Sequence, residues 1–500
     1  MKKLSEIITE LKPHQQRVVD RIQKQPGLVV AHGMGSGKTL TSIAAAERLG
    51  GNTTAVVPAS LQSNYQKELD KHLKGTPNSS YDIQSLQRQA LQGSIAPTDN
   101  LIVDEAHRIR DPSSMSRKVV RGAEAKKRML LTGTPLYNRP YDIASLVNVA
   151  AGENVLPPAQ ADFEKRYIGE RKVDPGWIAR TFRGVKPGSV AELKRKDELS
   201  KILGQWVDFH ENTTENFPTR HDEVVNTPLG KEQQNVYNAL MGEAPSWIKY
   251  KVQHGLPPSK QESKDLNAFS SGVRQVSLSP AGFQEGVTPD QAAAMSPKLQ
   301  TAYQRLSDQI EKNPQHRALV YSNFLESGLH PYETMLQQGK IPYGKFTGEL
   351  SKSERDQMVT DYNSGKLRAL MLSSAGGEGL DLKGTRQIQV LEPHFNKEKL
   401  EQVIARGIRY GSHAHLPEDQ RNVAVEHYVS QLPKPGIIRR AFGAKRPGSI
   451  DEYLRTLSSQ KDELNQQVRD ILKTTTEQHS KTSGLMDVVV SYSDLMTTVC

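Results

Sequence analysis

The sequence predicts an α/β protein with two parallel-sheet domains and a helical insertion between them. Three observations carry this. Short apolar runs recur in the first third, at Leu28–Ala31, Thr54–Val57, Leu101–Val103 and Met129–Leu131, and each is continuous rather than alternating, as in strands buried on both faces. Helix-compatible stretches, Leu40–Leu49 and Leu61–His72, lie between them, and strand–helix alternation is the pattern of a parallel sheet. The alternation stops near Val155-Leu156-Pro157-Pro158 and resumes after Pro297 with Ala318–Tyr321, Ala369–Leu372 and Ile388–Leu391.

These breaks divide the chain into a first sheet domain at 1–154, an insertion at 155–297, a second sheet domain at 298–432 and a C-terminal segment at 433–500. The insertion is polar, helical in parts and rich in turns. The last segment holds a basic Pro/Gly loop, Pro433–Pro447, then a polar helix expected over Ile450–Leu472, then a tail. An internal echo links Lys186-Pro187-Gly188-Ser189 with Arg446-Pro447-Gly448-Ser449. Both predict a turn, an N-cap serine and a helix with early acidic residues.

A chain of 500 residues exceeds one ordinary core. Lys and Arg total 66 against 56 Asp and Glu, a net charge of +10. That excess suits a polyanionic partner and equally a slightly basic soluble enzyme. The one cysteine, Cys500, excludes an intrachain disulfide and a thiolate zinc site, and fits a reducing, intracellular and non-secreted setting. Met1-Lys2-Lys3 is followed by Glu6 and Glu10 with no signal-peptide apolar region. No run reaches the roughly 18–20 apolar residues of a membrane helix, so no membrane partner is expected.

Chemistry enters after the first strand, at His32-Gly33-Met34-Gly35-Ser36-Gly37-Lys38-Thr39. Glycines let backbone N–H groups wrap a phosphate, and the following helix adds its positive N-terminus. Met34, Gly35, Ser36 and Gly37 form the expected cradle for ATP. Lys38 reaches the β- and γ-phosphates, and the Thr39 hydroxyl binds Mg²⁺. His32 stands where the strict pattern has glycine. The third strand runs into Asp104-Glu105-Ala106-His107, placing a carboxylate at the end of a buried strand beside such a loop. Asp104 is expected on Mg²⁺ and Glu105 as the base that positions water.

The phosphate loop, Asp104-Glu105-Ala106-His107 and Leu131-Thr132-Gly133-Thr134-Pro135 together resemble superfamily 2, specifically the Swi/Snf-type ATPases. Leu11-Lys12-Pro13-His14-Gln15 resembles the adenine-recognising segment of that family, with Gln15 on the base. Pro58-Ala59-Ser60-Leu61 with Asn64, Tyr65 and Glu68 resembles a motif of the nucleic-acid track. Leu319–Phe324, Phe346-Thr347-Gly348 with Arg355, and the glycine-rich Ser373–Leu382 resemble the second motor domain. Gln402–Arg409 resembles its arginine motif. Asp381 stands where the family has Asn, and Arg409-Tyr410-Gly411-Ser412-His413 is closer to viral relatives, including poxvirus-type nucleoside triphosphatases.

The resemblance implies two RecA-like lobes with ATP at their seam. Lys38, Thr39, Asp104 and Glu105 come from one lobe. Arg406 and Arg409, expected on one helical face, come from the other, with Gly379 and Asp381 on the nucleotide. The implied activity is ATP-dependent movement along nucleic acid, most of all duplex DNA, by backbone tracking. Lys165 to Lys196, with Trp177 and Phe182 interleaved, and the loop carrying Lys434, Arg439, Arg440, Lys445 and Arg446 are the candidate contacts. The alternatives are a strand-separating DNA or RNA helicase and a nucleotide-switched viral transcription or assembly factor. A viral or phage origin implies the host cytoplasm or nucleoid, or a virion, with replication, transcription or virion proteins as partners.

Overall fold

The computed structural model describes residues 6–33, 35–136, 139–211, 217–259, 261–346, 350–373, 380–394, 397–409, 411–437 and 445–496. The chain forms two units. One comprises Met1–Gly169, Ala191–Thr213 and Glu463–Cys500, the other Glu170–Val190 and Thr214–Asp462.

The continuous apolar runs become parallel strands because alternate residues of each find a core on opposite faces. In the first unit these are Gly27–His32 (β1), Gly51–Val57 (β2), Thr98–Val103 (β4) and Ala125–Thr132 (β5). Val29, Val103 and Leu130 enter one core, shared with Ile143, Phe163 and Leu203. Leu28, Val30 and Ile102 enter the other, shared with Val18, Ile43 and Tyr65. Ser79–Ser85 (β3) and Val207–His210 (β6) complete a six-stranded sheet of order β6-β1-β5-β4-β2-β3, in which every pairing is parallel. Pro13–Lys24 (α1), begun by a proline suited to a first turn, and Lys38–Leu49 (α2) flank β1 in sequence. β6 comes from the stretch expected as an insertion and pairs β1 from Val207↔Val29 to His210↔His32.

The second unit repeats the logic. Ala318–Tyr321 (β8), Ala369–Leu372 (β10) and Gln387–Val390 (β11) are the expected strands. Thr219–Pro228 (β7), Tyr343–Phe346 (β9) and Asn422–Gln431 (β12) join them in the order β7-β12-β11-β8-β10-β9, again all parallel. Val320 and Met371 face one core, and Leu319 and Leu370 the other. A third cluster joins the helical residues Tyr237, Ile248 and Val273 to Ile450 and Leu454.

Two expectations change. The C-terminal helix spans Ile450–Met496, well past Leu472. The internal echo resolves into two different structures. Ser449 caps a helix, its hydroxyl accepting from Glu452 N at 3.2 Å while Glu452 Oε2 accepts from Ser449 N at 3.0 Å. Gly188–Leu193 is instead a strand. A Cβ on Gly188 would stand 2.1 Å from the Pro257 carbonyl oxygen, so packing against that backbone, rather than a cap, explains this glycine. Among the described residues no helix is long and apolar enough to cross a membrane.

Candidate nucleotide site

The phosphate loop follows β1 directly. Gly35 and Gly37 take φ of 73° and 77°, a left-handed region that favours glycine. A Cβ on Gly37 would lie 2.4 Å from Gln15 Nε2, so only glycine lets the loop pass α1 this closely. Met34 lies outside the described residues. Ser36 Oγ donates to Gly33 O at 2.7 Å. Lys38 Nζ donates to the His32 and Gly33 carbonyls, both at 3.0 Å, and Thr39 sits in the first turn of α2.

Asp104 and Glu105 follow β4. Asp104 N donates to Val56 O at 2.9 Å, extending the ladder by one residue. The chain then turns sharply, with Glu105 at φ 50° and its N–H donating to Asp104 Oδ1 at 2.9 Å. Glu105 Oε2 stands 3.2 Å from His107 Nδ1. Burial, and then the charge of Glu105, push Asp104 up to about 6. Burial pushes Glu105 up as well, but the bond to His107 and the charges of His107, Lys38 and Arg108 outweigh it and hold it below its ordinary value. Burial lowers Lys38 against the pull of Glu105 and Asp104. The lysine and both carboxylates therefore share one electrostatic neighbourhood. Beside them at the end of β5, Thr132 Oγ1 accepts from Thr134 N at 3.1 Å.

Gln15 is buried on α1, with Oε1 accepting from Lys12 N at 2.8 Å and Nε2 donating to Ser36 O at 3.0 Å. Its neighbour His14 reaches the same carbonyl through Nε2 at 2.9 Å. The segment expected to read the base thus also grips the loop. Sequence reasoning missed the residues beneath it. Asp208 on β6 is fully buried and accepts from Arg17 Nε and Nη2, both at 2.8 Å, and from Arg21 Nη1 at 3.1 Å. His32 Nε2 lies 2.7 Å from its Oδ1. The only signal was His32 in place of a glycine.

The remaining expected residues lie in the second unit. Arg406 is in the last turn of Lys397–Gly407 (α3). The helix stops at Gly407, so Arg409 stands in the next turn and not on a shared helical face. Gly407 lies against Thr385 and Ile388, which a Cβ would meet at 3.0 and 3.1 Å. The Ser412 hydroxyl captures the freed backbone, accepting from Arg409 N at 3.2 Å and donating to Arg409 O at 2.8 Å. His413 Nε2 anchors the turn on Thr385 O at 2.6 Å. The unusual Gly411-Ser412-His413 sequence is thus the device that holds Arg409. Arg409 Nη1 is 3.8 Å from Asp381 Oδ1. Gly379, Thr347 and Gly348 lie outside the described residues.

Of the candidate track, Trp177 and Phe182 are exposed and meet edge to face at 6.3 Å. Arg171, Lys172 and Lys186 are exposed nearby, whereas Arg180 pairs with Asp174 at 3.4 Å and Arg183 lies over Tyr250. In the C-terminal loop Arg446 is held by Glu452 at 2.9 Å. Lys434 and Lys445 are exposed, and Arg439 and Arg440 lie outside the described residues.

Family comparison agrees with the two sheets and their motifs. The SNF2-related domain matches residues 76–280, and the helicase conserved C-terminal domain matches residues 301–411. The chain is therefore an ATP-hydrolysing enzyme of helicase superfamily 2, with nucleic acid as its class of partner. Within it, the chain belongs to the Swi/Snf-type branch and has viral relatives. A protein of Acanthamoeba polyphaga mimivirus, named as a candidate ATP-dependent RNA helicase, is 28% identical over 91% of this chain and 94% of its own. The termination factor NPH-I homolog of African swine fever virus is 24% identical over 89% of this chain and 75% of its own. The Sulfolobus solfataricus SWI2/SNF2 ATPase core, solved in complex with dsDNA, is 18% identical and covers 85% of this chain and 89% of its own, with a TM-score of 0.36.

Proposed function

We propose that this enzyme is a DNA translocase that hydrolyses ATP on Lys38, Asp104 and Glu105 and tracks along the backbone of duplex DNA. The observation that carries the reading is the shared neighbourhood of the Lys38 ammonium and the two carboxylates at the ends of β1 and β4. The left-handed Gly35 and Gly37 and the start of α2 suit a polyphosphate. On binding, Lys38 exchanges the His32 and Gly33 carbonyls for phosphate oxygens. Thr39 and Asp104 are the residues that would hold Mg²⁺, which when bound neutralises charge on the phosphates. Glu105, kept ionised beside His107, orients water and takes its proton. Arg406 and Arg409 supply guanidinium groups to the transferred phosphoryl group, and lobe closure links that step to movement.

Glu105→Gln should bind ATP normally and lose turnover, and wild-type turnover would remove Glu105 from this role. Binding should weaken with salt by a log–log slope of about 0.9 per phosphate neutralised, and a flat response would discard backbone tracking.

A strand-separating helicase is the second reading, favoured by the exposed Trp177 and Phe182 among basic residues, since an aromatic pair can stack on an opened base. The name of the mimivirus relative adds RNA as a substrate to test. Phosphate release with duplex DNA, single-stranded DNA and RNA side by side decides. Stimulation by duplex DNA supports translocation, single-strand preference supports the helicase, and stimulation by RNA alone overturns the DNA assignment.

A further inference from the structure

The base of the phosphate loop is tied to the rest of its unit by a buried ionic knot that the expected chemistry does not use. Asp208 accepts from Arg17 and Arg21 on α1 and lies 2.7 Å from His32 at the end of β1. The backbone repeats the connection one residue on, Gly33 N donating to His210 O at 2.8 Å. Above it the His210 ring stacks on His14 at 3.9 Å and 7°, and His14 grips Ser36 O. The chain of contacts therefore closes on itself, from α1 through Asp208 to His32, along the loop to Ser36, and back to α1 through His14 and Gln15. Among the described residues no group of three or more His, Cys, Asp or Glu is arranged to hold a metal ion.

We propose that Asp208 and His32 are positioning residues for ATP, locking the helix that carries Gln15 and the phosphate loop into one preformed cradle. His32 serves here where a glycine serves in the common loop. A glycine would leave the loop base tied by backbone alone, through Gly33 N on His210 O, whereas the imidazole adds a side-chain bond, donating through Nε2 to a carboxylate delivered by a distant strand. Three cationic or donor groups around one fully buried carboxylate cannot be loosened singly without stranding charge, so the cradle keeps its shape without nucleotide and the cost of ordering it is met at folding rather than at binding. Burial lowers His14 and His32 and takes His210 down to about 4, so the rings around the knot are neutral near pH 7, as the stacked pair requires.

The proposal rests on the nucleotide-site reading above, and the test separates the two. ATP binding, measured with a fluorescent nucleotide, and the KM and kcat of phosphate release at saturating DNA are compared for the wild type, His32→Ala, His32→Gln, Asp208→Asn and Lys38→Ala, with thermal melting as a folding control. His32→Ala should raise KM and weaken nucleotide binding by about tenfold with kcat little changed. His32→Gln, whose amide nitrogen falls where Nε2 stands, should restore most of that loss. Asp208→Asn should behave as His32→Ala or worse. If it fails to fold, the two His32 variants and His210→Ala, which removes the stacked ring alone, carry the test. An unchanged KM in His32→Ala, a loss that glutamine does not restore, or a fall in kcat or melting temperature alone would overturn the proposal. Wild-type behaviour of Lys38→Ala would instead overturn the nucleotide-site reading itself.

Discussion

Each six-stranded sheet ends on one side in a strand drawn from the same polar stretch, and each of those strands presents an aspartate to an arginine and a histidine. On β6, Asp208 meets Arg17, Arg21 and His32. On β7, Asp222 meets Arg220 at 2.6 Å and His427 at 2.9 Å. Their surroundings differ. Asp208 is 0% exposed, while the Asp222 side chain is 44% exposed and lines a cavity of about 510 Å³ with Lys397 and Arg455. In both, burial pushes the carboxyl up and the arginine and histidine bring it well below the usual carboxylate range. The same shift therefore has different consequences. A carboxylate in reach of water can be re-solvated when its partners are lost, and a dry one cannot. The dry knot lies under the phosphate loop, where rigidity serves function, and the wet one closes a sheet edge.

The difference between the two aspartates is largest at Asp208. Asp208→Ala should destabilise the first unit by about 3–5 kcal/mol, the usual cost of stranding buried partners, read by chemical denaturation. A loss under about 1 kcal/mol would place the two aspartates in one class. Acid should act next. His210, His316 and His413 are each held down to about 4 by burial, whereas unfolded histidine takes its proton near 6.5. Between those values the unfolded chain binds more protons, so stability is intact above about pH 6.5 and falls toward pH 4. A melting temperature unchanged from pH 7 to 5 would contradict this. Asp222→Ala should cost least, about 0–1 kcal/mol, and a larger loss would show that its cavity is drier than its exposure indicates.

Much of this was legible from local pattern. Strands buried on both faces announce themselves as apolar runs, and β1, β2, β4, β5, β8, β10 and β11 fall where those runs stand. The edge strands did not. Thr219–Pro228 is mostly polar, because only part of an edge strand meets a core, so its sequence reads as a turn-rich insertion. The phosphate loop and Asp104-Glu105 were legible because their chemistry lies in consecutive residues. The Asp208–His32 pair was not, since its partners are brought together only by the sheet. His32 showed as a departure from a pattern with no reason attached, as did Ser412-His413, whose bonds to Arg409 and Thr385 supply the reason. Arg409 itself lies past the helix end, where a count of residues along an ideal helix no longer applies.

The proposed motor requires a phosphoryl group that meets the lysine and carboxylates of one unit and the arginines of the other. Phosphate release by Arg406→Ala at saturating ATP and duplex DNA tests this directly. Turnover should fall by roughly 10³–10⁵, the contribution of such an arginine in related phosphoryl transfer, while nucleotide binding to the Lys38 unit stays as in the wild type. Wild-type turnover in Arg406→Ala, and again in Arg409→Ala, would mean that ATP is hydrolysed without the second unit and would contradict the two-lobed motor.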